Sequence, residues 1–163
     1  MLPWRKKKKN MKGIKTTLDT KVQPNLMTDW RKIQGYDKSV DAIVVNVGEG
    51  SYKNTDVNIP NPVAGDVYTV SFDAWGSTEN NKITTHCIPL EKKDIIACAA
   101  GGIKLNDYGH VDWSNLSEKS KRYFATYRLV EKAKSIWIRC RPGTTYIRNI
   151  KLEKSPYPTD YEE

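Results

Sequence analysis

His86, His110, Cys87, Cys98 and Cys140 are the first side chains to test for chemistry. His86 and Cys87 are neighbours in the strand-like stretch NKITTHCI (81–88). Successive residues of a strand point to opposite faces, so the two cannot act as base and nucleophile for one another. His110 lies in NDYGHVDW (106–113), read as a polar loop, and no motif pairs it with a cysteine. The chain has no phosphate-binding glycine loop, no dinucleotide-binding glycine pattern and no HExxH-type metal motif. No enzymatic activity is expected. The cysteines are odd in number, lack metal-ligand spacing and sit in apolar or strand-like stretches. They read as buried free thiols, with a disulfide between two of them as the alternative.

Aromatic side chains beside polar loops suggest a different chemistry, the stacking of sugar faces. Trp75 closes a strand at GSTEN (76–80), and Tyr108 and Trp113 belong to NDYGHVDW. These three are the candidate glycan contacts; the competing reading has them packing over the edge of a core. The oxygen-rich NTDVN (54–58) could supply calcium ligands, but it lacks a fixed ligand spacing and reads as a solvated loop. No cofactor is expected.

Charge is concentrated at one end. Trp4 is followed by Arg5, Lys6, Lys7, Lys8, Lys9, Lys12 and Lys15, and the first acidic residue is Asp19. Of the 27 basic residues, these seven leave 20, against 19 acidic ones. The net charge of +8 therefore describes a nearly neutral domain carrying a basic arm. Residues 1–24 form this arm, expected to be disordered or extended when free, because like charges repel and little apolar periodicity opposes them. Trp4 is its natural anchor for docking into a partner. Nucleic acid and an anionic membrane are the weaker alternatives. No apolar run approaches the ~20 residues of a membrane helix, and residues 1–15 lack the apolar segment of a secretory signal.

The elements that must carry these residues read as β. AIVVNV (42–47) and DIIACAA (94–100) are short apolar runs. In DVYTVSFDAW (66–75), Tyr68, Val70, Phe72 and Ala74 alternate with Val67, Thr69, Ser71 and Asp73. NKITTHCI follows across GSTEN as an expected hairpin. KRYFATYRLV (121–130), SIWIRCR (135–141) and TTYIRNIKLE (144–153) alternate as well. In the last, Tyr146, Arg148, Ile150 and Leu152 should share one face. SEKSKRYF (117–124) could open with one helical turn. Seven or eight short strands with Gly, Pro and Asn turns predict an all-β fold, an antiparallel sandwich of jelly-roll type over residues 25–163.

Four segments carry a resemblance: PNLMTDW (24–30), VYTVSFDAWGS (67–77), KSKRYFATYRL (119–129) and IRNIKLEKSPYPTDY (147–161). Their order is similar to that in the jelly-roll, carbohydrate-binding-module-like domains of bacteriophage virion proteins. The C-terminal segment is the most specific of the four. The chain departs from the pattern at Ser155-Pro156, where a glycine is usual, and at Ser120, where a tryptophan is common. The resemblance implies a tail that crosses the opening of the sandwich, with Tyr157 and Tyr161 plugging the end of the core. It also implies a virion structural protein, assembled in the host cytoplasm. The expected role is capsid decoration or a head fibre, docked on capsid or other virion proteins through the arm and homo-oligomeric. The alternatives are a tail or baseplate adhesin for a host-surface glycan, and a small capsid protein whose arm binds genome.

Overall fold

The computed structural model describes residues 23–27, 29–78 and 81–163. The basic arm, from Trp4 to Lys15, lies outside them. Eleven strands form two antiparallel sheets packed face to face, a β-sandwich of the expected jelly-roll type. They are β1 (Tyr36–Asp37), β2 (Ala42–Val47), β3 (Lys53–Asn58), β4 (Val67–Gly76), β5 (Ile83–His86) and β6 (Ile95–Cys98). After these come β7 (Ile103–Lys104), β8 (Val111–Trp113), β9 (Lys121–Arg128), β10 (Ser135–Cys140) and β11 (Gly143–Glu153). One sheet has the order β1-β2-β11-β4-β9-β6, the other β3-β10-β5-β8-β7.

Period-two patterning builds the core. Tyr68, Val70, Phe72 and Ala74 of β4 point inward, opposite Ile136, Ile138 and Cys140 of β10, and all are buried. All three cysteines are free thiols. The segment NTDVN is not a loop but most of β3. Thr55 and Val57 turn inward while Asn54, Asp56 and Asn58 point out, a strand with only one apolar residue to betray it. Residues 117–120 contain no helical turn, and β9 begins directly at Lys121.

Two expectations of pairing are corrected. β4 and β5 do not form a hairpin, because they belong to different sheets. The crossing between them is pinned by Asn81, fully buried, whose Nδ2 donates to the Thr144 carbonyl and to Thr145 Oγ1, each at 3.0 Å. Its Oδ1 accepts from the Thr78 backbone N–H at 3.0 Å. Gly143 packs so closely here that a Cβ would meet the Asn81 amide at 2.9 Å. The second correction concerns β11. Its register against β4 shifts between Arg148 and Lys151, where Asn149 takes a positive φ of 51°. The extra residue reverses the alternation. Thr145 and Ile147 face inward before it, Ile150 and Leu152 after it, and Tyr146 and Arg148 are on the outer side rather than with Ile150.

Both ends of the described chain meet on the outer side of the six-stranded sheet. Asn25 imitates a strand backbone beside β11: its Nδ2 donates to the Ile150 carbonyl and its Oδ1 accepts from Leu152 N–H, both at 3.0 Å. Leu26 N–H then donates to the Leu152 carbonyl at 2.8 Å. The C-terminal tail does not plug the sandwich opening. It lies over the outward-facing Lys151 and Glu153, which are 1% and 0% exposed. Thr159 Oγ1 accepts from Lys151 Nζ at 2.6 Å and donates to Glu153 Oε1 at 2.8 Å. Tyr161 accepts from Trp30 Nε1 at 3.0 Å, whereas Tyr157 is 45% exposed and plugs nothing.

Candidate binding face

The three candidate glycan contacts do not converge. Trp75 stands on the outer side of the six-stranded sheet, stacked on its cross-strand neighbour Tyr146 with ring centres 5.1 Å apart and planes within 7°. Arg148 lies over its ring at 5.1 Å. Tyr108 belongs to the far sheet, in the 3-10 turn Asp107–Gly109, and is 57% exposed. Trp113 is corrected outright: it is 2% exposed on β8, packed edge-on against Tyr123 at 5.6 Å, with Nε1 donating to the Ala99 carbonyl. It fills the space under the Gly101-Gly102 turn and presents no free ring face. Asn54, Asp56 and Asn58 project in parallel from alternate positions of β3, so they do not close on a common centre. Among the described residues no three His, Cys, Asp or Glu side chains gather as metal ligands.

Much of the six-stranded sheet's outer side is already occupied. The tail covers one end, and Asp73 is shared by Arg122 at 3.2 Å, Asn149 at 2.8 Å and Arg148 at 4.0 Å. The outer side of the five-stranded sheet is different. β10 sends Trp137 and Arg139 outward, and Arg141 follows at its end. β5 contributes Thr84 and His86, opposite Arg139 and Trp137 in register. β3 adds Asn54 and Asp56, and the β8 side adds His110 and Asp112.

The side chains here form two layers. Beneath lie the histidines. His86 is 2% exposed, tilted against Trp137 with ring centres 4.7 Å apart, and edge-on to His110 at 5.0 Å. Both His86 nitrogens and His110 Nε2 are buried without a hydrogen-bond partner among the described residues. Burial holds the His86 imidazolium pKa down at about 3, helped by the positive charges of Arg139, His110 and Arg141. His110 is lowered for the same first reason, opposed by Asp112. Above them lie the cations. The Arg139 guanidinium stacks on the Tyr52 ring at 4.0 Å and donates to Asn54 Oδ1 at 2.9 Å. Arg141 sits 5.9 Å from the same ring. Lys82 is neutralised by Asp112 at 2.7 Å, which also accepts from Thr84 at 2.7 Å. Arg139 and Arg141 have no carboxylate partner among the described residues. Burial and the neighbouring Arg141 lower the Arg139 pKa, although Tyr52 opposes this. A cleft of about 560 Å3 between the edges of β2 and β3 opens beside Asn54 and Asp56.

His86 and Cys87 do not face one another. Cys87 is packed in the core with its thiol pushed up to about 12 by burial, on the other side of the sheet from the His86 ring. Tyr108 is the one expected contact that borders this face, with its ring 6.2 Å from His110.

No family model matches the chain, and no curated protein matches it in sequence. Solved structures similar in fold include the following two. One is the enzymatically active domain of tailspike protein 4 from bacteriophage CBA120, 15% identical with a TM-score of 0.44. That match covers 69% of this chain and only 15% of the tailspike chain. The other is a protein of Bacteroides thetaiotaomicron described as sugar binding, 10% identical with a TM-score of 0.47, covering 76% of this chain and 80% of that one. Both likenesses are of fold alone.

Proposed function

We propose that this chain is a non-enzymatic structural protein of a phage particle, a surface accessory held by its basic N-terminal arm and displaying the β-sandwich outward. The observation that carries the reading is the position of Gln23, the first described residue. Its N–H donates to Thr159 Oγ1 at 3.2 Å, on the outer side of the six-stranded sheet. The described chain thus begins on the side away from the open face of the five-stranded sheet, which is what display of that face by an anchoring arm requires. The C-terminal segment that resembles phage virion domains is also the segment that fastens this side, through Lys151, Glu153 and Thr159. Capsid or other virion proteins are the partners this reading assigns to Trp4 and the seven cations after it.

The test is co-sedimentation with virions stripped of this component, comparing the full chain with a form lacking residues 1–20. The full chain should sediment at low salt and weaken only modestly at high salt, while the truncated form stays in the supernatant. Equal sedimentation of both would refute the anchoring role. A steep loss with salt would favour genome binding by the arm instead. A second reading, a host-glycan adhesin, is favoured by one observation, the aromatic and cationic side chains left open around Trp137.

A further inference from the structure

We infer that the outer face of the five-stranded sheet binds an acidic saccharide, a sugar chain bearing carboxylate groups, through Arg139 and Arg141 over the Tyr52 and Trp137 rings. The inference deepens the reading of this domain as a displayed binding module, and it does not depend on the particle.

Buried or half-buried arginines in a folded domain are ordinarily matched by carboxylates, as Arg122 is by Asp73. Arg139 and Arg141 sit two residues apart on one face, close enough for Arg141 to lower the Arg139 pKa and for both to lower that of His86. Of the two carboxylates on this face, Asp112 is taken by Lys82, and Asp56 stands opposite Trp137 without pairing with either arginine. Holding two unmatched guanidinium groups together is unfavourable for the free protein, and a ligand carboxylate would relieve it. Guanidinium forks match a carboxylate in a bidentate way that a lysine cannot.

The surroundings select a saccharide from among anions. Tyr52 is half exposed and holds Arg139 in place by stacking, so the fork is oriented before a ligand arrives. Trp137 is half-buried on the same face and is fixed from the side by His86. An indole face of this kind suits the C–H face of a pyranose. Asn54 and the exposed Asp56, Trp137's cross-strand neighbour, offer acceptors for sugar hydroxyls. Asp56 also argues against nucleic acid, since an unpaired carboxylate beside Trp137 would repel a continuous phosphate backbone. The carboxylates of an acidic sugar chain are spaced by neutral atoms and can avoid it. Trp75 plays no part in this site, because it belongs to the other sheet.

The test is calorimetric titration of the full chain with a short galacturonate oligosaccharide at 0.15 M salt. A neutral glucose oligosaccharide of the same length and a single-stranded oligonucleotide of matched charge serve as rival ligands. The galacturonate should bind and the other two should bind at least tenfold more weakly. The double variant R139Q/R141Q should lose tenfold or more in affinity. R139K/R141K, which keeps charge but not the fork, should fall between. Unwinding midpoints of both variants, measured by far-ultraviolet dichroism, keep a folding failure apart from a binding failure. Three results would overturn the inference. One is equal binding of the neutral sugar, and another is stronger binding of the oligonucleotide. The third is unchanged galacturonate affinity in folded R139Q/R141Q, which would transfer the binding to the arm. Failure of virion sedimentation would leave this outcome untouched, so the two readings fail separately.

Discussion

Lowering the pH from 7.5 to 5 should cost the fold about 2 kcal/mol through His86 alone. The imidazole is buried against Trp137 and His110 with neither nitrogen bonded, and its pKa is held at about 3. In the unfolded chain it returns to its ordinary 6.5. Above pH 6.5 both states are neutral and the group contributes nothing to pH dependence. As the pH falls below 6.5 the unfolded chain takes up a proton that the folded one refuses, so stability declines until the pH reaches the folded value. At pH 5 that is 1.5 units below 6.5, at ~1.4 kcal/mol per unit. Asp41 and Asp112 act below this window: they are held under their ordinary 3.8, chiefly by Arg31 and by Lys82 with Thr84, so their contribution is lost only as the pH falls through that value. His110, also lowered, adds loss of the same sign. The assay is urea unfolding at pH 7.5, 6.5, 5.8 and 5.0 on the wild type and on His86→Phe. Phenylalanine retains the ring contact with Trp137 and removes the nitrogens. The variant should lose about 2 kcal/mol less than the wild type over this range. Parallel pH profiles for the two proteins would refute the burial of a neutral His86.

Further predictions follow from the two chain ends and the bulge. Asn25→Ala removes three bonds at once, those to Ile150 and Leu152 and one at 2.9 Å from Met27 N–H. It should destabilise the domain by about 2–3 kcal/mol in urea unfolding. Lys151→Met leaves the buried Glu153 carboxylate without its cation and should cost about 3 kcal/mol, with increased proteolysis of the tail after Glu153. Asn149→Val forces a β-branched side chain into positive φ and breaks the 2.8 Å bond to Asp73, for a loss of about 2 kcal/mol, while Asn149→Gly should cost less. Thiol titration of the native protein should find Cys87 and Cys140 unreactive, since burial pushes both up to about 12, and Cys98 the fastest of the three.

The long strands were legible because their apolar residues alternate, and DVYTVSFDAW and SIWIRCR fall where expected. Three things were not legible, each for a physical reason. β3 has Val57 as its one apolar inward residue, so its composition imitates a loop although its period is two. Strand partners depend on contacts distant in sequence: the segment after β4 crosses to the other sheet, and Asn81 within it bonds to Thr144 and Thr145 of β11. The bulge at Asn149 depends on one residue adopting positive φ, which asparagine tolerates but does not announce. The binding face was within reach of the sequence. SIWIRCR sets Trp137, Arg139 and Arg141 on one face by simple alternation. What the sequence lacked was the location of Tyr52 and the absence of a carboxylate opposite, both matters of tertiary position.

The two sides of the sandwich are unequal in a way that bears on function. A jelly roll offers two outer sheet faces, and here the chain's own ends take one of them. The tail, Asn25 and the Asp73 network engage polar groups of the six-stranded sheet internally, with Arg148 Nε left without a hydrogen bond among the described residues. On the five-stranded sheet Lys82 and Asp112 cancel, but among the described residues Arg139 and Arg141 have no carboxylate, and both His86 nitrogens and His110 Nε2 have no hydrogen bond. Selection for stability alone would not maintain two unpaired arginines above a buried imidazole pair, since replacing either arginine by a neutral residue would relieve repulsion. Their coexistence is intelligible if the face is completed by something outside the chain. R139Q/R141Q should melt at or above the wild-type temperature in the absence of ligand, and a clear drop would mean that the arginines stabilise the fold rather than wait for a partner.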